Sequence, residues 1–211
     1  MDYRIEPLAK YLDDAASAQP TPGGGSVAAV AAALASTMAS MAGGFTVGKE
    51  KFRSVEPEVR QILARLADKR AALLDLAHAD MAAYDAIMAA YRMPKATDDE
   101  KVARAAAVRQ ATKASLGVVG RVMEASREIL VESRRLADIA NPNLASDVGV
   151  AAELALGAVR AARINAEVNL AWYDDAVDAL TVRTRTEAAV TEAERLAAET
   201  RERVMKRLAK A

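Results

Sequence analysis

Four short segments stand apart from an alanine- and charge-rich background in carrying residue types that can do chemistry. The first is Pro20-Thr21-Pro22-Gly23-Gly24-Gly25-Ser26. Three glycines ahead of a helix let backbone amides converge on an anion or a carbonyl oxygen, helped by the positive end of the helix. The spacing is neither that of a Walker loop nor that of a dinucleotide fingerprint, and a plain hinge would use the same residues. The second is Thr46-Val47-Gly48-Lys49. Its lysine either holds a carboxylate or assists proton transfer, or it is an ordinary solvated cation.

The third segment pairs Asp80 with Tyr84. Four residues apart on a helix, they share a face, and Asp80 adjoins the apolar Met81. A carboxylate beside an apolar face has its pKa raised, which suits general acid or base work. The alternative is an ion pair with a lysine or arginine at the edge of that face. His78, the only histidine, lies two residues from Asp80 and points elsewhere, and no clustered ligands accompany it that would hold a metal. The fourth segment is Asn141-Pro142-Asn143-Leu144-Ala145-Ser146-Asp147, followed by Asn165 and Asn169. Asp147 near a helix start is ordinary capping chemistry. Two asparagines four apart in an apolar stretch must be hydrogen-bonded, so they either stitch helices together or read a polar ligand.

The elements that must position these residues are helices. Within 211 residues, over half are apolar, the apolar share is mostly alanine, and aromatic residues are scarce. Alanine is the best helix former, while strands draw on β-branched and aromatic residues. The length suits one core, so residues 1–211 read as a single all-α domain, a bundle of about six helices that includes long antiparallel ones. A first helix is expected over Pro7 to Ala18, stopping before Pro20. Ser26 is the expected N-cap of an uncharged helix from Val27 to about Met41, closed by Gly43-Gly44.

Ser54 is expected to open a long third helix with Pro57 in its first turn and an apolar stripe through Leu66, Leu73, Ala77, Met81, Tyr84, Met88 and Tyr91. Thr97-Asp98-Asp99-Glu100 spells a capping box for a fourth helix that runs to about Ile139, with Gly117 or Gly120 as points where it bends. A fifth helix begins near Ser146-Asp147, and a last amphipathic helix carries Val190, Ala193, Ala197, Val204 and Leu208.

Composition also narrows the function classes. The 29 basic and 29 acidic residues cancel, which argues against a nucleic-acid partner. No cysteine is present, which removes disulfides, thiolate metal sites and cysteine nucleophiles. The N-terminus lacks the pattern of a signal peptide, so a cytoplasmic location is expected. Between Asp14 and Lys49 there is no charge, a length sufficient to span a bilayer. Its alanine, serine, threonine and glycine content transfers poorly to lipid. The stretch therefore reads as a packing helix, in the core or at a subunit seam, with no membrane partner.

Taken in order, the motifs Pro22-Gly23-Gly24-Gly25-Ser26, Thr46-Val47-Gly48-Lys49, Asp80 to Tyr84, Pro94-Lys95, Asn141-Pro142-Asn143 to Ser146-Asp147, and Asn165 with Asn169 resemble the folate cyclodeaminase and methenyltetrahydrofolate cyclohydrolase family. That family includes the C-terminal half of formiminotransferase-cyclodeaminase, and the resemblance covers nearly the whole chain. Gly44-Phe45 stands where an Asn-Leu pair is common, Glu50 where a second lysine is usual, Ala140 for a glycine and Glu167 for a basic residue. These departures alter the charge of the pocket.

The resemblance implies an all-helical homodimer acting on a tetrahydrofolate that carries one carbon, without a metal or redox cofactor. It implies that Asp147 or Asp80 serves as base or electrostatic partner, with Lys49 and Tyr84 positioning groups or moving protons. Asn143, Asn165 and Asn169 would read polar atoms of the pterin or bridge. The glycine loop with Ser26, together with Lys95 and Ser146, would complete substrate binding. The absence of a formiminotransferase domain in this sequence favours the cyclohydrolase over the ammonia-releasing cyclodeaminase, with a non-catalytic folate-binding dimer as a further alternative.

Overall fold

Each expected helix forms. The computed structural model describes residues 1–209. Six α-helices follow one another: α1 (Leu8–Ala16), α2 (Gly24–Gly44), α3 (Glu56–Tyr91), α4 (Asp98–Ile139), α5 (Ala145–Leu170) and α6 (Ala176–Leu208). Short 3-10 turns cover Glu50–Phe52 and Pro142–Leu144. Thr97 and Glu100 form the expected reciprocal capping box of α4. That helix continues through Gly117 and Gly120 without interruption.

The start of α2 differs from the sequence expectation. Gly23 occupies the N-cap position and the helix begins at Gly24, so Ser26 lies inside the first turn. Capping from Ser26 is unnecessary because a carboxylate from another helix takes that role, as described below. The third helix likewise begins two residues after Ser54, at Glu56, with Pro57 second in the helix, where its missing amide costs nothing.

α2 lies at the centre of the bundle, packed against α3, α4 and α5. Ala28, Ala29, Ala32, Ala35, Ala39 and Ala42 are buried on it, and side chains this small bring neighbouring backbones close. Ser36 donates to the Leu66 carbonyl at 2.7 Å and so ties α2 to α3. By length and composition α2 could cross a membrane, yet here its alanines face α3 and α5.

Register is legible in the ion pairs. Arg135–Glu58, Arg65–Glu132 and Lys69–Glu128 set α3 and α4 antiparallel. Arg160–Glu194 and Arg201–Glu153 do the same for α5 and α6. Arg109–Asp174, Arg127–Glu192, Arg134–Glu199 and Arg203–Asp138 all join residues 65 apart, so α4 and α6 run parallel. Exposed pairs of this kind contribute only about 0–1 kcal/mol each. They specify alignment, while the buried apolar contacts supply the cohesion.

Candidate active site

The site is built around a carboxylate held against a helix N-terminus. Asp80 stands on α3, and its Oδ2 accepts a hydrogen bond from the Ser26 backbone amide at 2.9 Å. An α-helix leaves its first amides without internal partners and carries partial positive charge there, so a carboxylate is at home in this position. The glycine before Ser26 is a steric requirement. A Cβ on Gly25 would lie 2.1 Å from Asp80 Oδ1 and 2.6 Å from its Cγ. Gly24 packs on the α5 side chain Asn165, whose amide atoms would lie 3.2 Å from a Cβ there.

Burial pushes the Asp80 carboxyl above its ordinary value, and the Ser26 amide opposes that rise. Among the described residues, the ion pair considered as an alternative for Asp80 is not found; its partner is a neutral amide. Tyr84 follows one turn along α3 and is half-buried. Asn165 donates Nδ2 to the Ala161 carbonyl at 3.0 Å. Asn169 donates Nδ2 to Ser115 Oγ on α4 at 3.0 Å, so this asparagine stitches two helices. His78 is exposed and lines a cavity that Tyr11, Ser26 and Met81 also line.

A second group of the expected residues gathers elsewhere. Thr46, fully buried, accepts from the Asn141 amide at 2.8 Å and fastens the end of α2 to the start of α5. Gly48 has φ of 74°, a left-handed conformation that favours glycine, and its amide donates to Glu56 at 3.0 Å. Lys49, Asn143 and Ser146 are exposed at this end, and Asp147 is half-buried in the first turn of α5. The 21 residues of α2 separate this end from Gly24, about 30 Å at 1.5 Å per residue. Within a single chain, the two ends of α2 therefore do not border one cleft. Pro22, Gly23, Gly24, Gly25, Ser26, Asp80, Tyr84, Asn165 and Asn169 belong to one end. Lys49, Asn143, Ser146 and Asp147 belong to the other. Lys95 is exposed in the α3–α4 connection, beyond the end of α3 that carries Asp80 and Tyr84.

Two participants escaped the sequence reading. Tyr11 of α1 hydrogen-bonds Ser26 Oγ at 3.0 Å, and Ser115 holds Asn169. Both partners are distant in sequence, and neither lies in a motif. The signal within reach was Gly25 itself, because a glycine inside the first turn of a helix asks what approaches its missing side chain.

The sequence model of the formiminotransferase-cyclodeaminase family matches residues 7–188. The methenyltetrahydrofolate cyclohydrolase of Methylorubrum extorquens is 38% identical over 170 residues, which cover 81% of this chain and 82% of that protein. The formimidoyltransferase-cyclodeaminase of Sus scrofa is 31% identical over 92% of this chain, but this span is only 36% of that longer protein. Among solved structures, the formiminotetrahydrofolate cyclodeaminase of Thermotoga maritima superposes with a TM-score of 0.81 at 30% identity, covering 98% of both chains. With one all-helical architecture shared end to end and the family match spanning most of the sequence, this chain belongs to the formiminotransferase-cyclodeaminase family.

Proposed function

We propose that this protein is a methenyltetrahydrofolate cyclohydrolase, opening 5,10-methenyltetrahydrofolate to 10-formyltetrahydrofolate. The observation that carries the reading is the half-buried Asp80 carboxylate at the N-terminus of α2, with no cationic partner among the described residues and with a raised pKa. The relative that shares 38% identity over most of its own length supports this choice of reaction.

The methenyl carbon is cationic, so it is electrophilic without a metal or redox cofactor. Asp80 accepts a proton as water adds to that carbon, giving a neutral carbinol. As the C–N5 bond breaks, Asp80 returns its proton to N5, the carbinol O–H proton leaves, and the carbon remains on N10 as a formyl group. The net result is one water consumed and one proton released. Raising the pKa of a carboxylate makes it a stronger base for accepting the proton of water in this step. Its negative charge also favours the cationic substrate. Tyr84 is placed to assist the proton transfers, with Asn165 beside the glycines for polar atoms of the pterin or bridge.

The second reading is the cyclodeaminase, in which N10 attacks a formimino carbon on N5 and ammonia leaves; the Thermotoga maritima structure favours it. Supplying the methenyl and formimino substrates separately decides between them. Loss of the methenyl near-ultraviolet absorbance above the uncatalysed rate, without ammonia release from the formimino compound, is the expected result. Ammonia release alone overturns the cyclohydrolase assignment, and no turnover of either substrate would leave a folate-binding dimer.

The reading includes a homodimer. Val27, Leu34 and Met41 lie exposed at seven-residue intervals along α2, and Val150 and Ile164 lie exposed on the neighbouring α5. Gly157 sits between them with open space at its Cβ. This uncharged face suits a second copy. If α2 packs against its twin in the opposite direction, the Lys49, Asn143 and Asp147 end of one copy meets the Asp80 end of the other. That arrangement would reunite the residues that a single chain holds about 30 Å apart. A water-soluble cytoplasmic protein accompanies this reading.

A further inference from the structure

The N-terminal segment is lightly attached to the bundle. Among the described residues, two hydrogen bonds join residues 1–20 to the rest of the chain. One is the exposed Arg4–Asp75 pair. The other is Tyr11 Oη to Ser26 Oγ at 3.0 Å, between side chains only 5% and 0% exposed. The outer face of α1 leaves Leu8 and Leu12 in solvent. Tyr3 meets Tyr11 edge-on, ring centroids 5.3 Å apart, and its hydroxyl donates to Asp14 at 2.6 Å. Tyr11 is thus braced from behind by its own segment and directed at Ser26.

Ser26 is the point where that contact matters. The first turn of α2 is Gly24-Gly25-Ser26, and the two glycines have no side chains with which to hold the turn in place. Ser26 is its first side chain able to anchor it, and a hydroxyl with no solvent exposure must find a partner inside the protein. The same residue presents its amide to Asp80. Burial raises the Tyr11 phenol above its ordinary value, so it keeps its proton throughout the neutral range.

We propose that Tyr11 is a positioning residue for Asp80, acting through Ser26: the phenol and the serine hydroxyl hold the first turn of α2 where the Ser26 amide meets the carboxylate. This rests on the reading of Asp80 as the base. The groups set against Asp80 are few. Tyr11 approaches from α1, the Ser26 amide comes from α2, which has no ionisable side chain, and Asn165 of α5 packs on the adjoining Gly24. Tyr84 lies one turn further along α3, and His78, two residues before Asp80, lines the cavity that Tyr11 and Ser26 also line.

The test uses Tyr11→Phe and Ser26→Ala in the full chain. Two measurements are compared with wild type: carbon-13 NMR titration of the Asp80 carboxyl without substrate, and steady-state rates across pH. Loosening the amide removes an effect that lowers the Asp80 pKa, so its titration and the acid limb of kcat both move to higher pH, by roughly half a unit. The expected kcat is about fivefold lower with KM unchanged, and the double variant is no worse than either single one.

A residue that only supports folding would reduce rates equally at all pH values and leave the limb in place. An unmoved Asp80 titration in both variants overturns the proposal. So does a raised KM with unchanged kcat, which would make Tyr11 a substrate contact. A moved titration with unchanged turnover supports the positioning and removes Asp80 from the reaction. Should Tyr11→Phe fold poorly, Ser26→Ala keeps the tyrosine packing and carries the same measurements.

Discussion

Gly25→Ala isolates the central contact of the site, because it adds one methyl group where the Asp80 carboxylate already sits. The new Cβ would lie 2.1, 2.6 and 2.8 Å from Oδ1, Cγ and Oδ2 of Asp80. Van der Waals contact begins near about 3.5 Å, so the carboxylate must retreat by more than about 1 Å. That motion breaks the 2.9 Å bond from the Ser26 amide. Losing a hydrogen bond to a charged group costs about 1.5–3 kcal/mol. Against it stands the helix preference for alanine over glycine, worth at most about 1 kcal/mol. The steric effect therefore wins, by about 0.5–2 kcal/mol.

For a chain of this size that lowers Tm by about 1–8 °C. A displacement of about 1 Å in a reacting group costs on the order of a hundredfold in rate, so turnover falls further than stability does. Calorimetry and the methenyltetrahydrofolate absorbance assay read the two effects. Gly44→Ala is the control: nothing lies within 4 Å of its Cβ, and there alanine should stabilise. If Gly25→Ala proved as stable and as active as Gly44→Ala, the contact between Asp80 and the α2 N-terminus would be wrong.

Asp80→Asn should cut kcat by roughly a hundredfold or more while leaving KM less affected. Because burial raises the Asp80 pKa above its unfolded value, the wild type loses stability as pH rises from the ordinary aspartate value of about 3.8 through the folded value. The Asn variant lacks that loss, so denaturation at neutral pH should find it at least as stable, and a clear destabilisation would contradict the burial argument. Mixing Asp80→Asn with Asp147→Asn chains after joint refolding should restore part of the activity if each site draws on two copies; an inactive mixture of well-folded dimers would reject that arrangement. Asn169→Ala and Ser115→Ala should each cost about 1 kcal/mol, and a denaturant double-mutant cycle should show coupling, since the two side chains share one hydrogen bond. Additive losses would mean that the bond contributes nothing.

Much of the bundle was legible because its signals are local. The capping box at Thr97 and Glu100 and Pro57 in the first turn of α3 each act within a few residues, and each appears where the spacing places it. The alanine run of α2 announced close packing, because a side chain that small has no other way to bury surface. Ser26 was misread as a cap for an equally physical reason. Local rules offer a helix its own serine, whereas here Asp80, 54 residues away, supplies the acceptor.

The sequence by itself determined the all-helical class, the central uncharged helix, and a carboxylate beside an apolar stripe, while leaving open whether its pKa rose or an ion pair held it. Helix period and residue size decide those matters, and both are written along the chain. Only the tertiary structure decided who meets whom. Asp80, Gly25, Ser26 and Tyr11 converge because α1, α2 and α3 pack with one particular register. Lys49 and Asp147 fall at the far end because α2 is straight chain length between them and Gly24, and a rigid helix cannot fold back to bring its two ends together.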